Sequence, residues 1–179
     1  MGARLHLTAS GLIMVLFMAW VLPEQAASSA QFSDLPPPDL RFVYSAAELS
    51  AVLDSMGEAG REAYIRSRYA FDVAWPLAYT YFFLVLLAWA VPRAWGEDAT
   101  MRRVWPWVAT APFALDMVEN SLTGLAAHRF PDISGGLALA ASSFTAIKWC
   151  SVGVCSVLVL ASLAKALRGR SSRGTQATS

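Results

Sequence analysis

Val104-Trp-Pro-Trp-Val-Ala-Thr-Ala-Pro112-Phe-Ala-Leu-Asp116-Met-Val-Glu119-Asn120-Ser-Leu-Thr123-Gly-Leu-Ala-Ala127 is long enough to cross a bilayer as a helix, yet it carries two acids and an amide. An ionisable group placed deep in hydrocarbon costs about 2.5 to 3.5 kcal/mol on insertion scales unless it is paired or faces water. On a helix, Asp116, Glu119, Asn120 and Thr123 follow one another at i, i+3, i+4 and i+7, so they share one face. Pro112 lies one turn earlier, removes a backbone donor and is placed to kink the helix toward that face.

The rest of the chain supports a membrane setting. Of 179 residues, 56% are hydrophobic and only 15% charged, which is too apolar for an ordinary soluble domain and too short for two membrane domains. Four apolar stretches, 7–22, 73–91, 104–127 and 136–163, approach or exceed the length needed for a hydrocarbon core of about 30 Å. Trp20, Trp75, Trp89, Trp95, Trp105 and Trp107 cluster at their ends, where amphipathic rings prefer the interface. The expected fold is therefore all-α, a polytopic four-helix membrane bundle forming one domain over 1–168. Residues 169–179 are polar and small and read as a disordered tail.

Basic residues set the orientation. Arg4, the loop with Arg93, Arg102 and Arg103, and the tail with Lys165, Arg168, Arg170 and Arg173 fall on one side if four helices span, and that side is expected to be cytoplasmic, with both termini. The expected location is the cell membrane, multi-pass, with 23–72 extracytoplasmic. The first stretch also has the outline of a secretory signal, a basic start, an apolar run and Ala26-Ala-Ser-Ser-Ala30. Its run is longer than the usual signal core and Pro23-Glu24 interrupts the approach to the small residues, so the reading adopted is a retained helix.

Within 23–72, a Ser-, Ala- and Pro-rich strap through Asp39 precedes Ser45-Ala-Ala-Glu48, a capping-box pattern followed by Leu49, Val52, Leu53 and Met56 at helical spacing. A short amphipathic helix is expected from Ser45, ended by Gly57, and a second over 58–69. Arg61, Tyr64, Arg66 and Arg68 on the latter suit the headgroup level.

On the fourth stretch Thr145, Lys148 and Ser151 are spaced by three, and Lys148 lies as far from its helix start as Asp116 does from its own. Both are expected near the middle of the membrane, where an ion pair of Lys148 with Asp116 or Glu119 is geometrically cheap. Asp72, Pro76, Tyr79 and Phe83 form a stripe on the second stretch. Asp72, Tyr79, Asp116, Glu119, Asn120 and Lys148 are thus the candidate lining of a polar cavity opening outward.

Two readings of this set stand side by side. A buried bridge can fix helix register without doing chemistry. Against that, three acids and one lysine leave excess negative charge, which in low dielectric asks for a proton, a metal or water. Several chemistries are absent from the sequence. Two histidines, His6 and His128, rule out a bis-histidine haem or histidine-rich di-iron site, and no Cys-x-x-Cys, Gly-x-Ser-x-Gly, Gly-rich phosphate loop or His-Glu-x-x-His occurs. No cofactor and no metal site is assigned. A net charge of +1 argues against a nucleic-acid surface. Cys150 and Cys155 read as packing residues.

The order Leu53-Asp-Ser-Met-Gly57-Glu-Ala-Gly60-Arg61-Glu-Ala-Tyr64, then Asp72-x3-Pro76-x2-Tyr79, Asp116-x2-Glu119-Asn120 and Phe144-Thr145-x2-Lys148-Trp149 resembles a bacterial family of small four-helix integral membrane proteins, over about 40–149. The resemblance implies the architecture and marks these polar positions as a set; it implies no reaction. A more distant likeness is to the four-helix sterol isomerase and sigma-2 receptor group, whose pockets also hold intramembrane acids, although the isomerase's pocket histidine has no counterpart here. The function expected is binding of a lipid or another amphipathic small molecule in the polar cavity, with membrane lipids as partners. The alternatives are a small proton-coupled transporter and a structural or accessory subunit.

Overall fold

A computed structural model describes the backbone of Gly2–Gln176 and the side chains of residues 2–168. It is all-α, and no strand occurs among the described residues. The polar tail expected from Gly169 falls among residues whose side chains are not described.

The first helix, α1 (Gly2–Leu16), runs through a π turn (Phe17–Val21) straight into α2 (Leu22–Ala30). The strap expected from Pro23 therefore begins only at Gln31. Pro23 occupies the first turn of α2, where its missing N–H matters least, and the widened π turn ahead of it takes up the mismatch in the hydrogen-bond ladder. A 3₁₀ turn (Pro38–Leu40) follows in the Pro-rich segment.

Next comes α3 (Ala46–Ser55), opened by the expected capping box. The Ser45 N–H donates to Glu48 Oε2 at 2.7 Å, and the Glu48 N–H donates to Ser45 Oγ at 3.2 Å. The Ser45 N–H, and next the Ser45 hydroxyl donating to the same oxygen at 2.8 Å, hold the Glu48 pKa below its usual range. Gly57, with φ +64°, supplies the left-handed turn that separates α3 from α4 (Gly57–Arg68).

Three long helices form the centre: α5 (Phe71–Trp95), α6 (Ala99–Arg129) and α7 (Gly135–Gln176). Gly96, at φ +58°, turns the chain out of α5, and Asp98 caps α6 by accepting from the Met101 N–H at 2.8 Å. All three pack on one another. The α1–α2 helix lies along α5 through the stacked rings of Phe17 and Trp75, and through His6 Nδ1 and the Tyr81 hydroxyl at 2.8 Å.

At one end of the trio, α6 and α7 outrun α5 and are covered by α4 and α3, enclosing Tyr44, Leu49, Leu53, Tyr64, Ala126 and Ala138. This is called the cap end. At the other, Leu87, Val91, Ala109, Cys155 and Val159 fill the interior, close to Arg93, Arg102, Arg103 and Lys165. This is the basic end.

By length and composition, three helical stretches are apolar enough to cross a membrane: Gly2–Ala30, Gly57–Trp95 and Gly135–Arg168. The expected fourth, α6, has the length but is not in that set, because Asp116, Glu119 and Asn120 lower the mean hydropathy of its apolar stretch. It packs on α5, α7 and α4, and keeps an outer face exposed at Trp107, Val118 and Leu125.

Candidate functional site: a buried ion network beneath an amphipathic cavity

The acids of α6 point inward. Glu119 is fully buried, its Oε2 is 2.5 Å from Lys148 Nζ, and its Oε1 accepts from the Thr145 hydroxyl at 2.8 Å. The same ammonium lies 3.1 Å from Asp116 Oδ1. Asn120 then carries the chain of contacts onward. Its amide donates to the Asp72 carbonyl at 2.8 Å and, more weakly, to Asp116 Oδ2 at 3.4 Å, while its Oδ1 accepts from Arg68 at 3.1 Å. Arg68 closes the series with Asp72 Oδ2 at 2.9 Å and Asp39 Oδ2 at 3.4 Å.

Spacing explains why these helices present these groups. Asp116, Glu119 and Asn120 share the face of α6 turned to α7 and α5, and Thr145 and Lys148 share the face of α7 that meets it. Tyr44 packs behind them: its N–H donates to Ser142 Oγ at 2.9 Å and its hydroxyl is 3.3 Å from Thr145 Oγ1. Burial pushes the Tyr44 phenol up to about 12, so it stays a neutral partner at any physiological pH.

The pairing of Lys148 with both Asp116 and Glu119 appears as the sequence suggests, level with the first turn of α5. Because Asn120 bonds the Asp72 carbonyl at the first turn of α5, the network lies at the cap-end boundary of α5 and not halfway along it. Residues 121–129 of α6 and 135–144 of α7 rise beyond that level and pack on the cap. Helix-by-helix counting from the sequence had no means of seeing that offset.

Arg68 is the main residue that the sequence placed elsewhere. Its side chain is 5% exposed and its guanidinium stacks on Tyr64, 4.4 Å from the ring centre, inside the network and not on the outer surface. Tyr64 is also buried. Arg61 is half-buried, donating to the Leu53 carbonyl at 3.0 Å and lying over Phe130, whereas Arg66 is exposed and pairs with Glu62 at 3.7 Å. Tyr79 belongs to an aromatic ladder with Trp75 and Phe83, and its hydroxyl has no hydrogen bond among the described residues. Asp39 was missed. Nothing in its Pro-rich surroundings marks it, and only the folding back of the strap, with the Asp39 carbonyl accepting from Trp149 Nε1 at 3.0 Å, brings it to Arg68.

Directly above the network is a cavity of about 370 Å³ between α2, the strap, α4 and the start of α5. Leu22, Ala26, Phe32, Leu35, Leu40, Met56 and Phe71 contribute its apolar walls. Gln25, Ser67, Arg68, Asp72 and Asp39 form a polar floor, in which Gln25 donates to Ser67 Oγ and Ser67 donates to Asp72 Oδ2, each at 2.9 Å. Of the six residues expected to line a cavity, Asp72 does so; Asp116, Glu119, Asn120 and Lys148 lie beneath it and bond one another. Two buried floor atoms, Asp39 Oδ1 and Arg68 Nε, have no hydrogen-bond partner among the described residues.

Four carboxylates and two cations make up the network, so it is two charges short of neutrality when every group is ionised. Among the described residues, no group of three His, Cys, Asp or Glu side chains is arranged to hold a metal ion. The arrangement provides a rigid charged base under an apolar chamber, which suits recognition of a molecule with one polar and one apolar end. Compared with family models, with curated proteins and with solved structures, the chain finds no match, so the geometry of this site carries the functional reading.

Proposed function

We propose that this is a four-helix integral membrane protein of the cell membrane that binds a lipid or similar amphipathic molecule in the cavity above its ion network. The observation that carries the reading is the contrast between apolar walls and a buried charged floor within one chamber of a size that suits small ligands.

In this reading α6 is the fourth spanning helix, made tolerable in the bilayer because its acids face Lys148 and Asn120 and not lipid. Contacts of α1 and the π turn with α5, through His6 with Tyr81 and Phe17 with Trp75, and of Gln25 on α2 with Ser67 on α4 support a first helix that stays with the bundle. With the basic end cytoplasmic, the cavity faces the opposite side. Glu119, Asp116 and Lys148 are mutually satisfied and serve to fix helix register. The ligand-facing chemistry belongs to Arg68, Asp72 and Asp39.

The test is native mass spectrometry of protein released from gentle detergent, comparing wild type with Ala63→Phe, which adds a ring into the chamber without touching the ion network. A discrete lipid-sized adduct present in wild type and reduced at least tenfold in the variant is expected. Equal adducts in both would sink the assignment of the cavity. The charge imbalance favours a second reading, a proton-coupled carrier, and a pH-gradient-driven flux in proteoliposomes would move the conclusion there.

A further inference from the structure

The three central helices carry their own ruler. Between the basic end and the network, Arg93 to Asp72 on α5, Arg103 to Asn120 on α6 and Lys165 to Lys148 on α7 are about 17 to 21 residues apart, or about 26 to 32 Å of helix. That matches a hydrocarbon core of about 30 Å. Aromatic residues mark the same two levels. Trp89, Trp95, Trp105 and Trp107 belong to the basic end, with Lys165 over Trp95 and Arg93 over Trp89, while Trp75 and Trp149 lie next to Asp72 and Lys148. Two aromatic belts so spaced are what a membrane's two interfaces select.

With the bilayer at this height, the ion network lies at the hydrocarbon boundary and the cavity lies at headgroup level. The strap then carries a feature that water would not favour. Leu40, Phe42 and Val43 are 65%, 57% and 63% exposed on a segment of little regular structure, next to Trp149 through its bond to the Asp39 carbonyl. Leu35 and Leu40 also line the cavity, so its wall is continuous with this apolar outer edge. Exposed apolar side chains at an aromatic belt are at home in lipid.

Building on the ligand reading above, we infer that the cavity is filled sideways from the leaflet opposite the basic end, by a bilayer lipid with an amine-bearing, zwitterionic head, past a strap whose Leu40, Phe42 and Val43 are immersed in that leaflet. The head-group class follows from the lining. Its charged side chains are Asp34, Asp39, Asp72 and Arg68, and the one guanidinium is already engaged by Asp39 and Asp72. What is left over is negative, which attracts an ammonium and repels a net-anionic head.

The experiment reconstitutes full-length protein, in a C150A/C155A background, into vesicles of equal phosphatidylethanolamine and phosphatidylglycerol. Spin labels are attached through Phe42→Cys or, on the cap surface, Glu58→Cys. Collision rates with oxygen, which favours lipid, and with a water-soluble nickel chelate are compared, and lipids retained by the unlabelled protein are identified by native mass spectrometry. The expected result is at least a fivefold higher oxygen-to-nickel ratio at position 42 than at position 58, with phosphatidylethanolamine retained in preference. A label at position 42 as open to nickel as the one at 58, with lipid still retained, overturns sideways entry and leaves the ligand site standing. Preferential retention of phosphatidylglycerol overturns the head-group class. Retention of neither lipid overturns both the inference and the ligand reading on which it rests.

Discussion

The two ends of this bundle hold together by different means. At the basic end, Leu87, Val91, Ala109, Cys155 and Val159 meet with few polar contacts, the bond from Trp95 Nε1 to Ser162 Oγ being one. In lipid such packing has little hydrophobic drive behind it, because the tails outside are as apolar as the interior, so close fit and dispersion do the work. At the network level and in the cap, ion pairs and side-chain hydrogen bonds tie residues distant in sequence, including Asp39 to Arg68 and Tyr44 to Ser142. Apolar packing lets helices approach; the polar contacts decide which residue meets which.

The sharpest way to break this contrast is Lys148→Met. It leaves Glu119, with no exposed surface, facing no cation, and stranding one member of a buried pair costs about 3 to 5 kcal/mol. Thermal unfolding in detergent should show the loss, and adding Glu119→Gln should restore much of it. A variant as stable as wild type would mean that the network does not fix the bundle.

Leu87→Ala probes the other end. The residue is fully buried, and since an apolar surrounding is common to packed and separated helices, the cost is mainly the cavity, near the lower end of the usual range at about 2 kcal/mol. The same melts compare it directly with Lys148→Met. A larger loss for Leu87→Ala would reverse the ranking of the two ends.

The smallest effect belongs to the cap entrance. Ser45→Ala removes the acceptor for the Glu48 N–H, a change worth about 1 kcal/mol of local helix stability, read by hydrogen exchange across α3 with α5 unaffected. Acid should mimic part of it. The Glu48 carboxyl is held below its usual value, so its contribution is complete above the ordinary carboxylate range and fades as pH falls through the lowered folded value. Uniform loss of protection along the whole chain would show that the cap and the central helices unfold as one.

By itself the sequence determined the helices and much of their punctuation. Apolar length marked four stretches, three of which belong to helices apolar enough to cross a membrane, Ser45 and Glu48 marked the start of α3, Gly57 marked its end, and the i, i+3, i+4 spacing of Asp116, Glu119 and Asn120 put them on one face with Lys148 in reach. These are local or strictly periodic signals. The offset of α5 against α6 and α7, the burial of Arg68, the return of Asp39 and the cavity roofed by the strap were decided by tertiary structure alone. Each depends on where a chain segment without periodicity folds back, and no spacing rule encodes that: Asp39 joins the floor on a strap held by Trp149, 110 residues later, at its carbonyl and by Ser142 at the Tyr44 N–H.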